Sequence, residues 1–214
     1  MCIRDRRTGH RILERYGMSE AGMITSNPFD GERRAGTVGS PLPGVEVRVV
    51  DDADQPLPVG EKGAIQIRGE NVFSGYWRMP EKTKQEFTGD GWFRTGDIGL
   101  FDADGYLSIV GRAKDLIITG GYNVYPKEIE LALDELPQVV ESAVVGVPHA
   151  DFGEAVTAVV VSRPGTQTDE ASIIGTLKSR MAGYKVPKRV HFVDALPRNA
   201  MGKVQKNLLR ERFG

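Results

Sequence analysis

The sequence predicts an α+β chain, with strands and tight turns up to about residue 113 and a small mixed domain from Lys114 onward. Two patterns carry this. Val45-Glu-Val-Arg-Val-Val50 and Ala64-Ile-Gln-Ile-Arg68 alternate apolar and polar residues as half-buried strands do, with turn formers over 51–63 between them. After Lys114, helical and strand periods alternate instead.

Taken in order, a helical segment around Ile12 and Leu13 is expected to stop at Gly17. Residues 36–111 read as an all-β unit, in which Asp102-Ala-Asp-Gly105 makes a hairpin turn and Tyr106, Leu107, Ile109 and Val110 its return strand. A strand follows at 116–118. Next comes a helix over 126–136, opened by Pro126, whose missing N–H has no partner in a first turn anyway, and carrying Ile129, Ala132, Leu133 and Leu136 on one face. Strands are expected at 144–147 and 156–161. A helix then carries Ile173, Ile174, Leu177 and Met181, with Asp169 and Glu170 in its first turn where the dipole favours acids. A strand at 189–193 and a helix at 205–212 complete the chain. The expected domains are 1–113 and 114–214.

The 214 residues carry 28 Lys+Arg against 29 Asp+Glu, so no global field attracts nucleic acid or an anionic membrane, and any anion must be held by a local site. The longest apolar run, 155–161, is far short of the roughly 20 residues of a spanning helix. One cysteine, Cys2, cannot form an intrachain disulfide, which fits a reducing, cytoplasmic setting. His10, His149 and His191 lack metal-ligand spacing and read as structural, and there is no Gly-x-x-x-x-Gly-Lys-[Ser/Thr] phosphate loop or Ser-His-Asp order.

Four clusters have no simple structural purpose: Tyr16-Gly-Met-Ser-Glu20, Phe93-Arg-Thr-Gly-Asp97, Gly111-Arg112 with the pair Gly120-Gly121, and Pro197-Arg-Asn-Ala-Met-Gly-Lys203. With Gly75-Tyr76-Trp77 and Pro80-Glu81-Lys82-Thr83, they resemble the adenylate-forming superfamily of acyl-CoA synthetases, nonribosomal peptide adenylation domains and firefly luciferase. Within it, Thr25-Ser-Asn-Pro-Phe-Asp-Gly31, the run 71–83, Gly120-Gly-Tyr-Asn-Val-Tyr-Pro-Lys-Glu-Ile-Glu130 and the run 197–207 are most similar to malonyl-CoA synthetases, ligases for small dicarboxylic acids.

The resemblance implies the C-terminal part of such an enzyme: a β-rich, distorted-barrel end of the large AMP-binding domain, then a small mobile domain. It implies ATP, Mg²⁺ and coenzyme A as reactants or cofactors, a small carboxylic acid as substrate, and a missing N-terminal part of the same enzyme as partner. Arg4, Arg6, Arg7 and Arg11 could pair a second carboxylate or simply form a basic surface. Alone, the chain is expected not to make acyl-CoA.

Residue by residue, the resemblance implies that Asp97 accepts both ribose hydroxyls, although an Asp after Gly96 can also cap a turn. Glu20 would hold Mg²⁺, or be a solvated acid. Ser19 stands where the family more often has Thr and keeps the phosphate-facing hydroxyl. Tyr16 with Gly17 would lie against adenine, or Tyr16 would pack in the core. Arg112 would contact ATP. Lys114 would be the hinge. Lys203 would be the catalytic lysine at the phosphates, its alternative a solvated side chain like that of Lys206. Gly120, Gly121 and Tyr122 would border the pantetheine arm of CoA, or form an ordinary turn. The competing functions are a ligase for a medium-chain or aromatic acid, and a noncatalytic nucleotide- or partner-binding module.

Overall fold

The structure is a computed structural model that describes Gly9 and residues 12–214. Cys2, His10 and the arginines at 4, 6, 7 and 11 lie outside the described residues. The chain forms two compact units, Met1–Ala113 and Lys114–Gly214.

In the first unit, β1 (Arg15–Met18), β2 (Gly22–Ser26) and β3 (Ser40–Pro41) form one antiparallel sheet. A second sheet runs in the order β4 (Val45–Val50), β5 (Gly63–Gly69), β6 (Phe93–Phe101), β7 (Leu107–Arg112). The two strands read from alternation are β4 and β5, in register from Val45 opposite Gly69 to Val50 opposite Ala64. The 102–105 hairpin is also present: Asp102 Oδ1 accepts the amides of Asp104 and Tyr106, and Gly105 takes φ +79°. Ile24, Val49, Ile65, Ile67, Phe93 and Leu107 form the core.

Three expectations for this unit are corrected. Ile12 and Leu13 are not helical, and Tyr16 and Gly17 lie in β1. Gly17 is there for space, not as a helix stop: a Cβ on it would fall 2.3 Å from the Gly22 carbonyl oxygen across the hairpin. The region 36–111 is not all strand, because α1 (Pro80–Glu86) interrupts it. This helix buries no residue, so it has no apolar stripe to read. Among the described residues the strands form two open sheets and no closed barrel.

The second unit centres on a hairpin of β10 (Val139–His149) and β11 (Gly153–Ser162). The short strands β8 (Ile117–Thr119) and β9 (Tyr122–Val124) continue the sheet from β11, and β12 (Arg189–Phe192) pairs parallel with it. Helices cover both faces, which is why β10 and β11 read as nearly continuous apolar runs. On one side α2 (Pro126–Asp134) and α3 (Glu170–Lys178) bring Ile129, Leu133, Ile173 and Leu177 onto Val144, Val156, Ala158 and Val160. On the other, α4 (Lys206–Phe213) packs Leu209 against Ala143, Val145, Val147 and Val159. The expected 116–118 strand is shifted by one because Ile117 and Thr119 face inward and Ile118 outward. Asp169 is the N-cap of α3, accepting from the Ser172 amide at 2.8 Å, a bond worth about 1 kcal/mol. Met181 and Leu136 lie past the ends of their helices.

Candidate functional site

Asp97 is the centre of the first unit's polar cluster. It lies within β6 and not in the expected turn. Ala64 of β5 pairs with Ile98 and Gln66 with Arg94, so Thr95, Gly96 and Asp97 all stand opposite Ile65. Gly96 takes φ +74° in this bulge, a conformation that costs a side-chain-bearing residue strain but glycine little. Bulges of this kind re-aim a side chain. Thr95 locks this one, donating from Oγ1 to the Ile65 carbonyl at 2.8 Å while accepting the Asp97 amide at 3.1 Å.

The Asp97 side chain is only 8% exposed and its two oxygens have different partners. Tyr16 Oη donates to Oδ2 at 2.5 Å, and Arg112 Nε lies 3.3 Å from Oδ1. Burial, and then the Asp97 charge, push the Tyr16 phenol above its ordinary range. Tyr16 is itself a core residue, so the packing alternative for its ring is what the structure displays. Arg112 is 51% exposed, and ion pairs with such a partner contribute about 0–1 kcal/mol to stability. A half-exposed guanidinium anchored to a buried carboxylate is therefore better placed to meet a ligand than to hold the fold. Each carboxylate oxygen keeps acceptor capacity beyond these bonds, since an ionised carboxylate has about four lone-pair sites.

Past Tyr16, β1 leads to the hairpin turn that carries exposed Ser19 and half-buried Glu20. The segment after β5 grips this tip. Phe73 donates its amide to the Glu20 carbonyl at 2.8 Å, Asn71 Nδ2 donates to the Ala21 carbonyl at 2.8 Å, and Tyr76 Oη donates to Glu20 Oε1 at 3.1 Å. Desolvation and the Glu20 hydrogen bond push the Tyr76 phenol up to about 12. The role of Tyr76 was missed in the sequence because 56 residues separate it from Glu20.

In the second unit Gly120 and Gly121, at φ +55° and +81°, are the two-residue loop of the β8–β9 hairpin. The turn reading is thus correct as geometry, and the space over Gly121 is open as well. Tyr122 is exposed and stacks on Tyr184, ring centroids 4.6 Å apart. Phe152 lies 3.6 Å from the Cβ position of Gly120, with Lys188 Nζ 4.9 Å from its ring centroid. Tyr184, Phe152 and Lys188 carried no motif in the sequence. Lys114 is exposed in a single 3₁₀ turn, Ala113–Asp115, where one unit gives way to the next.

Lys203 stands on a tight turn. Asn199 accepts the Met201 and Lys203 amides on Oδ1, at 3.0 and 2.9 Å, and its own amide donates to the Lys203 carbonyl at 2.9 Å. Gly202 takes φ +77°. The Lys203 side chain is exposed and makes no hydrogen bond or ion pair among the described residues, whereas Lys206 Nζ donates to Glu130 Oε1 at 2.6 Å. The structure thus brings together Tyr16, Asp97 and Arg112, sets Ser19 and Glu20 at the tip of the strand that carries Tyr16, and groups Gly120, Gly121 and Tyr122 on one hairpin.

Two family models place this chain, with its acid-tipped hairpin, its buried carboxylate between phenol and guanidinium, and its small α+β unit, in the AMP-binding class of enzyme. Residues 3–77 match the family model of the AMP-binding enzyme and residues 128–203 that of the AMP-binding enzyme C-terminal domain, and the chain belongs to this family. Malonate–CoA ligase of Arabidopsis thaliana is 46% identical over 215 residues, covering 95% of this chain and 35% of that protein. A long-chain-fatty-acid–CoA ligase of Escherichia coli is 42% identical over 205 residues, covering 95% and 36%. The crystal structure of ATP-bound MatB from Rhodopseudomonas palustris matches with a TM-score of 0.95 at 60% identity, over 98% of this chain and 42% of that one. The chain thus spans a little over a third of the curated relatives it matches. Asp97, Arg112, Lys114 and the residues 120–122 fall between the two segments matched by family models.

Proposed function

We propose that this chain is part of an ATP-dependent acid–thiol ligase that activates a small carboxylic acid, malonate above all, and passes it to coenzyme A. The observation that carries the reading is the convergence on Asp97 of residues from three separate motifs: Tyr16, Asp97 itself and Arg112. A buried, pre-aimed carboxylate with spare acceptor sites suits a pair of vicinal ribose hydroxyls. Arg112 beside it offers its remaining donors to ribose or phosphate oxygens.

In the first half-reaction a carboxylate oxygen of the acid attacks the α-phosphorus of ATP, and the bond to the bridging oxygen breaks to release pyrophosphate. Lys203, exposed and unpaired among the described residues, supplies positive charge to the α-phosphate and bridging oxygens as negative charge develops there. Ser19 offers a hydroxyl to phosphate. Among the described residues no group of three or more His, Cys, Asp or Glu could hold a metal. Mg²⁺ commonly combines one or two carboxylates with substrate phosphates, so Glu20, with its second oxygen unassigned, fits that mode. Bound there, the ion would neutralise phosphate charge. In the second half-reaction the CoA thiol, losing its proton, attacks the acyl carbonyl and AMP leaves. Gly120 and Gly121 leave room for the pantetheine arm, and Tyr122, Tyr184, Phe152 and Lys188 offer stacking and charge beside them. Lys114, at the join of the two units, is the hinge on which they exchange poses.

Malonate is favoured by the motif runs 71–83 and 197–207 and by the 46%-identical malonate–CoA ligase. Because the fatty-acid ligase is nearly as similar at 42%, a ligase for a longer acid is the second reading. Specificity constants of the full-length enzyme decide between them. A site that pairs a second carboxylate rejects analogues lacking it by about 10⁴ or more, as for other buried polar groups left unpaired. Equal constants for malonate and butyrate would remove malonate from the proposal.

A further inference from the structure

The Lys203 turn is attached to the body of its unit by two ion pairs, one on each leg. On the leading leg Arg198 donates from one guanidinium nitrogen to Glu141 of β10 and from the other to the Gly202 carbonyl at 2.6 Å. On the trailing leg Lys206, the first residue of α4, donates to Glu130 of α2. The Glu130 side chain is 10% exposed, and its Oε1 also accepts the Val144 amide of β10 at 3.0 Å. Between the legs, Asn199 holds both the amide and the carbonyl of Lys203. The main chain beneath Lys203 is therefore fixed while its ammonium group stays free.

The two acids have a second effect. Arg198, Lys203 and Lys206 are three cations within nine residues, and any of them could draw a phosphate oxygen. Glu141 and Glu130 occupy the outer two, leaving Lys203, among the described residues, as the free cation of the turn. We infer that Glu130 and Glu141 are positioning residues for Lys203, acting through Lys206 and Arg198 to fix where its charge is presented and to keep the neighbouring cations from competing for the phosphate. This inference rests on the proposed role of Lys203 in adenylation. Each acid acts through a neighbouring cation, Glu141 through Arg198 and Glu130 through Lys206, so the role assigned is positioning and not catalytic.

The test uses the full-length enzyme with Lys203→Ala, Glu141→Gln, Glu130→Gln, Lys206→Met and Lys206→Arg. Glu130→Gln keeps an acceptor for the Val144 amide, and the 30%-exposed Glu141 side chain can lose its charge with little effect on folding. ATP–pyrophosphate exchange reads the first half-reaction, and single-turnover thioester formation from presynthesised acyl-adenylate reads the second. Glu141→Gln, Glu130→Gln and Lys206→Met should each lower exchange kcat by about 10-fold, less than the 10² that a 1 Å misplacement can cost, with KM for ATP little changed. Thioester formation should be unaffected, and Lys206→Arg should retain exchange. Trypsin should cleave after Lys203 faster in the three weakened variants, a readout independent of activity. If Lys203→Ala impairs exchange and the glutamate variants do not, the positioning role is overturned while the function stands. If Lys203→Ala leaves exchange intact, the reading of the turn itself falls. Equal loss in both half-reactions would mark the acids as structural supports only and overturn the inference.

Discussion

Tyr16 Oη donates to Asp97 Oδ2 across 2.5 Å, joining a hairpin strand to a bulged strand 81 residues further on. A hydrogen bond to a charged group contributes about 1.5–3 kcal/mol, so Tyr16→Phe should raise KM for ATP about 10-fold in the full-length enzyme by loosening the carboxylate. Asp97→Asn should cost more, because the ribose and Arg112 lose the charge as well. An unchanged KM in Tyr16→Phe would show that the phenol does not orient Asp97.

The same pair sets an alkaline limit. The folded state raises the Tyr16 phenol above its ordinary value through burial first and the Asp97 charge second. A raised phenol binds its proton more tightly folded than unfolded, so its stabilisation is complete below about pH 10 and declines as pH rises beyond that. Tyr76, pushed up to about 12, acts in the same direction. Urea midpoints between about pH 8 and 11 should therefore fall less steeply in Tyr16→Phe than in the parent. Parallel curves would contradict this.

Gly17→Ala tests the corrected reading of the first motif. With a Cβ 2.3 Å from the Gly22 carbonyl oxygen, the hairpin must open, at a cost of about 1–3 kcal/mol typical of overpacking. Wild-type stability on thermal or urea unfolding would mean that the close approach is not real.

Gly121→Leu probes the second half-reaction. No atom lies within 4 Å of the Cβ position, so the fold meets no steric block, although φ +81° adds strain. Thioester formation from presynthesised adenylate should fall at least 10²-fold, with ATP–pyrophosphate exchange largely retained, as for a positioning loss. Loss of exchange to the same degree would contradict a role confined to CoA.

What the sequence made legible follows from burial. β4, β5, α2 and α3 each bury one face, and that burial writes a period of two or of three to four into the chain, while β10 and β11, covered on both faces, read as continuous apolar runs. α1 buries nothing, and Pro80 with Glu81 was its one signal. β1 failed for the opposite reason: four residues are too few for a period, and Gly17 read as a stop because the carbonyl it makes room for lies across a hairpin. The candidate site residues stand out in the sequence as types in ordered motifs. Their supports come from distant elements: Tyr76 and Glu130 lie inside the quoted motif runs but nothing local announces their partners Glu20 and Lys206, and Tyr184, which stacks on Tyr122, lies in no motif.

Lys203 carries the central claim, that its free charge on a braced turn serves adenylation and not thioester formation. The direct measurement is Lys203→Ala in the full-length enzyme, assayed separately for ATP–pyrophosphate exchange and for thioester formation from presynthesised malonyl-adenylate. Exchange should fall on the order of 10² to 10³, as when one transition-state donor is removed, with the second step largely intact. Equal impairment of both steps, or none of either, would contradict the account.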